Sequence, residues 1–389
     1  MMAIVALFWS TVVAAAPLNL ATVLAAVDGR VPELAVAEAK RAEQEAKRLS
    51  AAGAFDPTLL GKYDQELSGP YPRASVDSAL VMATPFGPEL EAGYRWGGGS
   101  FPDYYGQYET LPMGEVRVGV SVPLLQDLGI TAERAKLLVA RHGVEGATAA
   151  MDAKRQAMLG KAASAWWKWV ATGQKLAVAE QQLQLAEDRA AGLRRQVALG
   201  AKPELAELDN QQVVLERRAN VVDAQQQLLQ AALMLSLYYR GEDMQPVVPR
   251  PSDLPEALPR PVLGNAQPED VVQQALARRP ELRVADALLA GAQVDLGRAR
   301  STVLPKLNSR IGVAKDLGPE SASSKASKAE VDLGLKLEVP LALRKGRGEL
   351  ARSRAAVERL QAERRGLADA VRADVLGAHA QHRAAVQAW

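Results

Sequence analysis

The chain has no cysteine. Disulfides, thiolate metal sites, cysteine nucleophiles and an acylated N-terminal cysteine are therefore excluded. Aromatic residues are scarce, at 5% of the chain with only four phenylalanines. Alanine is abundant, a composition suited to helices packed closely side by side rather than to a core built on large rings. Neither sign of charge dominates, with 47 Lys and Arg against 45 Asp and Glu, and the two signs alternate along the helical stretches. That balance reads as solvated helix faces and excludes both a disordered polyion and a nucleic-acid partner. Past the N-terminal stretch no apolar run approaches the ~18 to 20 residues that a spanning helix needs. If the mature chain crosses a bilayer, it does so with strands.

Signs of catalysis are missing as well. No Gly-rich phosphate loop follows a strand, no nucleophile elbow appears, and the acids are spread along helices rather than paired. The reading is a non-enzyme with no cofactor. His379 and His382 stand three apart, a spacing able to bring two imidazoles to one metal, yet no third ligand lies near them, and His142 is alone. No metal site is assigned.

What is present begins with an uncharged stretch up to Val27, in which the apolar run Met2 to Val13 is followed by Ala14-Ala15-Ala16. Residues 1–16 read as a signal peptide, although no basic residue precedes the run. The chain is then an internal duplication. Pro32-Glu33-Leu34-Ala35-Val36-Ala37-Glu38-Ala39 returns as Pro280-Glu281-Leu282-Arg283-Val284-Ala285-Asp286-Ala287, and each copy runs the same distance to a second proline, Pro57 or Pro305. After a longer insertion in the first copy the two realign, Val122-Pro123-Leu124 facing Val339-Pro340-Leu341. A unit this long is not a short solenoid repeat.

The first repeat spans 17–244, with a β-hairpin at 56–124 and a helical hairpin at 129–240. A linker at 245–267 follows, with prolines at 246, 249, 251, 255, 259 and 261. The second repeat spans 268–389 and carries a β-hairpin at 305–340. Strand character rests on period-two alternation. Valines at 116, 118, 120 and 122 enclose Arg117, Gly119 and Ser121, and Val331, Leu333, Leu335, Leu337 and Val339 enclose Asp332, Gly334, Lys336 and Glu338. One face is greasy and the other polar, the pattern of a transmembrane barrel with lipid outside and water inside. The expectation is four strands per chain, with residues 68–114 left as a long connection holding extra strand pieces at 75–84 and 89–96. Four strands cannot close a barrel, since an open edge in lipid leaves backbone groups unpaired at several kcal/mol each. Several chains must pool theirs.

From Gly129 to Val197 there is no proline, and two stripes recur every seventh residue: Leu137 through Met158, Thr172 and Leu193, and Ala162 through Trp169, Ala190 and Val197. Two stripes imply two helical neighbours, as in a ring. Such a helix is on the order of 100 Å long, a strut rather than part of a globular core. Trp166, Trp167 and Trp169 read as packing between helices, since Trp169 lies on a stripe. Aromatics in 94–108 suit an interfacial girdle. At Ala198-Leu199-Gly200-Ala201 the chain turns, with Gly200 available as a C-cap and Pro203 able to open the return helix.

In their order and paired spacing, the Pro-Glu-Leu helix starts, the Val-Pro-Leu strand ends and the Leu199-Gly200 turn resemble the outer-membrane efflux protein family, the TolC-like exit ducts of Gram-negative bacteria. The resemblance covers nearly the whole chain after residue 16. It implies an α+β membrane protein in the outer membrane, extending into the periplasm. There a homotrimer would pool its strands in a 12-stranded barrel set against outer-membrane lipid and its helices in a long helical barrel. It further implies a passive duct of a tripartite efflux or type I secretion system, docked through residues 198–201 to a periplasmic adaptor (membrane fusion) protein and so to an inner-membrane pump. Arg117, Ser121, Asp332, Lys336 and Glu338 are then the expected lumen residues. In the family the turn often reads Arg-Leu-Gly, where this chain has Ala198. With the strand prolines as register, Trp389 matches Thr172, so the second copy stops before its own turn and return helix, and weak or no efflux is expected from this chain. The alternatives are a truncated, non-functional duct, or a periplasmic coiled-coil adaptor, which explains residues 129–240 but not two alternating hairpins.

Overall fold

The computed structural model describes residues 17–101, 109–256, 267–319 and 329–388. The signal region, Tyr104 and Tyr105, the linker prolines 259 and 261, and Trp389 lie outside them. The chain divides into two compact units, one of Met1–Ala39, Met151–Asn265 and Ala380–Trp389, the other of Lys40–Ala150 and Ala266–His379.

The second unit holds the sheet. Helix α2 (Pro32–Ala52) ends ahead of Asp56-Pro57, as the steric restriction on a residue before proline requires. Six strands follow: β1 (Thr58–Glu66), β2 (Arg73–Ala83), β3 (Glu89–Gly99), β4 (Glu115–Pro123), β5 (Lys306–Asp316) and β6 (Glu330–Glu338). They form one antiparallel sheet in the order β1-β2-β3-β4-β5-β6. The expectation of four strands is thus corrected to six among the described residues, because 56–124 holds four strands of one sheet rather than a hairpin. Glycine-rich β3 has weak strand propensity, and its identity comes from pairing with β2 and β4. Gly93 shows why such a residue belongs there: a Cβ would lie 2.9 Å from Arg117 Nε, so the glycine leaves the path over which that arginine crosses the strand.

The two faces of this sheet differ completely. Leu59, Leu80, Ala92, Val118, Val313 and Val331 are paired in a row that crosses all six strands. Met82, Leu90, Val120, Ile311 and Leu333 form the row beside it. Lys315, near one end, is the one charged strand residue on this face among the described residues. The opposite face carries Asp77, Glu91, Arg95, Glu115, Arg117, Arg310 and Asp332. In the central strands the apolar face is the more exposed one, Val118 by 64% while Glu115 on the same strand is buried, and the edge strands β1 and β6 are exposed on both faces. A water-soluble sheet does the reverse.

The helices of this unit include the first part of α3 (Ala132–Ala198), α5 (Pro268–Arg278), α6 (Pro280–Ser301) and most of α7 (Arg344–Ala388). Small residues set their approach: a Cβ on Gly146 of α3 would lie 3.3 Å from the Ala287 methyl of α6. Arg364 of α7 pairs with Asp286 of α6, and Arg372 with Glu269 of α5 at 2.5 Å.

In the first unit α1 (Leu20–Val27) is capped by Asn19, whose Oδ1 accepts from the Thr22 amide at 2.8 Å. Its buried Val23 and Val27 meet Met158, Trp166, Trp169 and Val170 of α3 and Leu228 and Leu235 of α4 (Glu204–Ser236) in one core. Trp166 Nε1 donates to the Leu18 carbonyl at 3.0 Å, and the Leu18 amide donates to the Asp253 carbonyl at 2.8 Å, which ties the proline-rich segment onto this core. Trp166 and Trp169 therefore pack between helices, whereas Trp167 is exposed. Both heptad stripes of α3 are buried or half-buried throughout. The α4 stripe is not: Leu208, Leu215, Val222 and Leu229 are 57–65% exposed.

Arg155 of α3 donates two hydrogen bonds, of 2.7 and 2.5 Å, to the Asp28 carboxylate just after α1. These hold the Asp28 pKa below its ordinary value. A depressed carboxylate pKa adds stability above the unfolded value of ~3.9 and loses it as pH falls through the folded one. Both side chains are about half exposed, so solvent screening limits the contribution to about 1 kcal/mol at most. Asp28→Asn is expected to lower stability slightly at neutral pH and to flatten its fall in acid. Parallel acid profiles for variant and parent, followed by thermal unfolding, would refute this linkage.

Candidate functional site

Two places carry chemistry beyond packing, the charged face of the sheet and the turn between α3 and α4. Strand alternation puts Arg117, Ser121, Asp332, Lys336 and Glu338 on the charged face together. Ser121 lies between Glu89 of β3 and Arg310 of β5, Asp332 faces Gly312, Lys336 faces Asn308, and Glu338 faces Lys306.

Arg117 is the hub of the face. Its guanidinium passes over Gly93, donates to both Asp77 carboxylate oxygens at 2.9 and 2.6 Å, and reaches Glu91 Oε1 through Nε at 3.2 Å. Glu91 also accepts from Arg310 at 2.9 Å. Four consecutive strands, β2 to β5, are thereby linked by one alternating chain of charge. Toward the far end of the same face Arg95 pairs with Glu115 at 2.5 Å, and Glu66 with Arg73 at 3.4 Å. Arg117 is only 19% exposed, so its pairs are shielded more than ordinary surface bridges and its fork geometry counts for more. Acidic side chains outnumber basic ones on this face.

Sequence reasoning missed Asp77, Glu91, Arg95 and Glu115. The signal was there in the period-two spacing of Arg73, Ser75 and Asp77 and of Glu89, Glu91 and Arg95, but among the prolines and glycines around it only strand pieces at 75–84 and 89–96 were legible, without their register. Tyr63, Tyr94 and Trp96 share the apolar face toward one end of the sheet, with the Tyr94 hydroxyl donating to the Met113 carbonyl at 3.0 Å. The rest of the expected girdle, residues 102–108, lies outside the described residues. His142 pairs with Glu145 at 2.9 Å. Among the described residues no three His, Asp or Glu side chains form a group able to hold a metal.

The α3–α4 turn is a Schellman cap. The Ala201 amide donates to the Gln196 carbonyl at 2.8 Å and the Gly200 amide to the Val197 carbonyl at 2.9 Å, with Gly200 at φ 68°. Pro203 opens α4, and Arg194 pairs with Glu207 across the hairpin at 3.4 Å. Ala198, Leu199, Gly200 and Ala201 are all exposed, Leu199 by 83%. Open space surrounds Gly200, so Gly200→Val should cost only the left-handed backbone penalty, about 1–2 kcal/mol. The expected readout is a lower melting temperature of the helical unit, with Gly200→Asn avoiding most of the loss because asparagine tolerates the left-handed region. An unchanged melt for Gly200→Val would show that the cap does not hold this end.

No protein-family model and no curated protein sequence matches the chain. Solved structures do. The open state of the Neisseria gonorrhoeae MtrE outer membrane channel is 16% identical with a TM-score of 0.62, covering 94% of this chain and 73% of that one. The outer membrane protein VceC of Vibrio cholerae is 16% identical with a TM-score of 0.58, covering 90% and 75%. The Campylobacter jejuni CmeC outer membrane channel is 10% identical with a TM-score of 0.58, covering 95% and 72%. With 90–95% of its length aligned on these structures, the chain has the fold of the TolC-like outer-membrane efflux channels.

Proposed function

We propose that this chain is the outer-membrane channel subunit of a tripartite efflux or type I secretion system, a passive exit duct assembled as a homotrimer. One observation carries the reading: the sheet exposes a continuous apolar face and gathers its charges on the other, where those of the central strands are partly sheltered. Water penalises that arrangement and a bilayer around an aqueous lumen rewards it. The open edges at β1 and β6 and the exposed α4 stripe give a second copy something to cover. Arg117, Ser121, Asp332, Lys336 and Glu338 then face the lumen, where the acidic excess favours cations. Residues 198–201 offer an exposed apolar tip for a periplasmic adaptor. The partner pump supplies the energy, and the duct supplies a water-filled path. A periplasmic adaptor built on one helical hairpin has no use for a six-stranded sheet whose greasy side faces out.

The test is expression with the native N-terminus in a Gram-negative host, membrane fractionation, and gel migration with and without heating. An outer-membrane band that migrates as a trimer and collapses on boiling is expected. A soluble monomer, or a protein extracted without detergent, would defeat the reading.

A further inference from the structure

We infer that the inserted hairpin β2–β3 is part of the barrel wall, so that each copy contributes six staves and three copies close a barrel of eighteen strands. This rests on the channel reading above and specifies the wall it requires.

Three observations carry it. First, the apolar rows run without interruption through the insertion: Leu80 and Ala92 stand between Leu59 and Val118, and Met82 and Leu90 beside Val120. A hairpin lying outside the wall, in water or in the lumen, would have no reason to continue a lipid-facing row in register. Second, the charged face is stitched across the same hairpin, with Arg117 of β4 reaching over β3 to Asp77 of β2 while Glu91 of β3 bridges to Arg310 of β5. Expelling the hairpin would break the nine residue pairs of β1 with β2 and the seven of β3 with β4, together with these ion pairs. Third, the edges suit a second copy of this chain. Strands β1 and β6 are each nine residues long and, at the two ends of an antiparallel six-stranded meander, run in opposite directions. The β6 edge of one copy can thus pair antiparallel with the β1 edge of the next, apolar faces on the same side. Backbone groups at both edges, which cost several kcal/mol each if left bare in hydrocarbon, are satisfied only by such closure. Barrel diameter grows roughly linearly with strand number, so the added staves widen the lumen.

The chain's lack of cysteine makes a direct test simple. Ser75 and Ser78 lie on β2 with Ser75 on the charged face and Ser78 on the apolar one. Full-length S75C and S78C, each an almost isosteric change, are exposed in intact outer membranes to a membrane-impermeant thiol reagent, with labelling after denaturation as the reference. Heat-sensitive oligomer formation is scored in the same samples. The expected result is that both variants assemble, S75C is labelled and S78C is protected. Assembly with both thiols labelled, or with S75C silent, would put the hairpin outside the wall and overturn the inference while the channel reading stands. Absence of any outer-membrane oligomer, in the parent as well, would remove the channel reading and the eighteen-stranded wall with it.

Discussion

In the proposed channel, Arg117→Ala is expected to lower the dissociation temperature of the assembled barrel and to shift its ion preference toward cations. The arginine makes three charge-assisted hydrogen bonds to two carboxylates on neighbouring strands from a largely covered position. Its removal leaves Asp77 without this guanidinium and Glu91 with only Arg310 of the pair that held it. Hydrogen bonds to charged groups contribute about 1.5–3 kcal/mol each in favourable geometry. Partial exposure of Asp77 reduces that, so a loss of roughly 2–3 kcal/mol per chain is expected. Two controls separate this from general damage. R117K keeps the charge but lacks the fork, and should recover ion preference more than stability. The double variant R117A/D77A should cost less than the sum of its singles, because the carboxylate no longer sits beside an empty place. Additive losses would show that the two side chains do not act as a unit. Unchanged selectivity in single-channel recordings of Arg117→Ala would place this face away from the ion path.

Trp169→Ala is expected to be the most damaging single change in the helical unit. The ring is fully buried, on the α3 stripe, among side chains from α1, α3 and α4. A Trp→Ala truncation in such a place costs about 3–5 kcal/mol, through lost transfer energy and the cavity left behind. The neighbour Trp167, 40% exposed and meeting Trp166 edge-on at 4.9 Å, provides the contrast. Its truncation should change stability by no more than about 1 kcal/mol, since mainly one aromatic contact is lost. Circular dichroism during thermal unfolding checks both. Equal effects of the two substitutions would mean that this core does not organise the unit.

Much of this architecture was legible in the residues themselves. Strand character in β4 and β6 showed because valines and leucines alternate there with polar residues without interruption. The long helix showed in a proline-free stretch with two heptad stripes, and both stripes are covered in the structure. Gly200 read as a C-cap because a left-handed residue was needed at that point, and φ 68° is what it adopts.

Strands β2 and β3 were legible only as fragments. Their glycines, serines and alanines have little intrinsic preference for extended backbone, so their identity and register come from neighbours on both sides. The charge network followed from that register, because Arg117, Asp77 and Glu91 are far apart in sequence and meet only once β3 is laid between β2 and β4. By itself the sequence determined periodicity, and with it which residues share a face, because that depends on local backbone geometry alone. Only the tertiary structure decided how many strands there are, which charges meet, and that the apolar face of the central strands is the more exposed one. Those are properties of pairing and enclosure, set by segments distant in the chain.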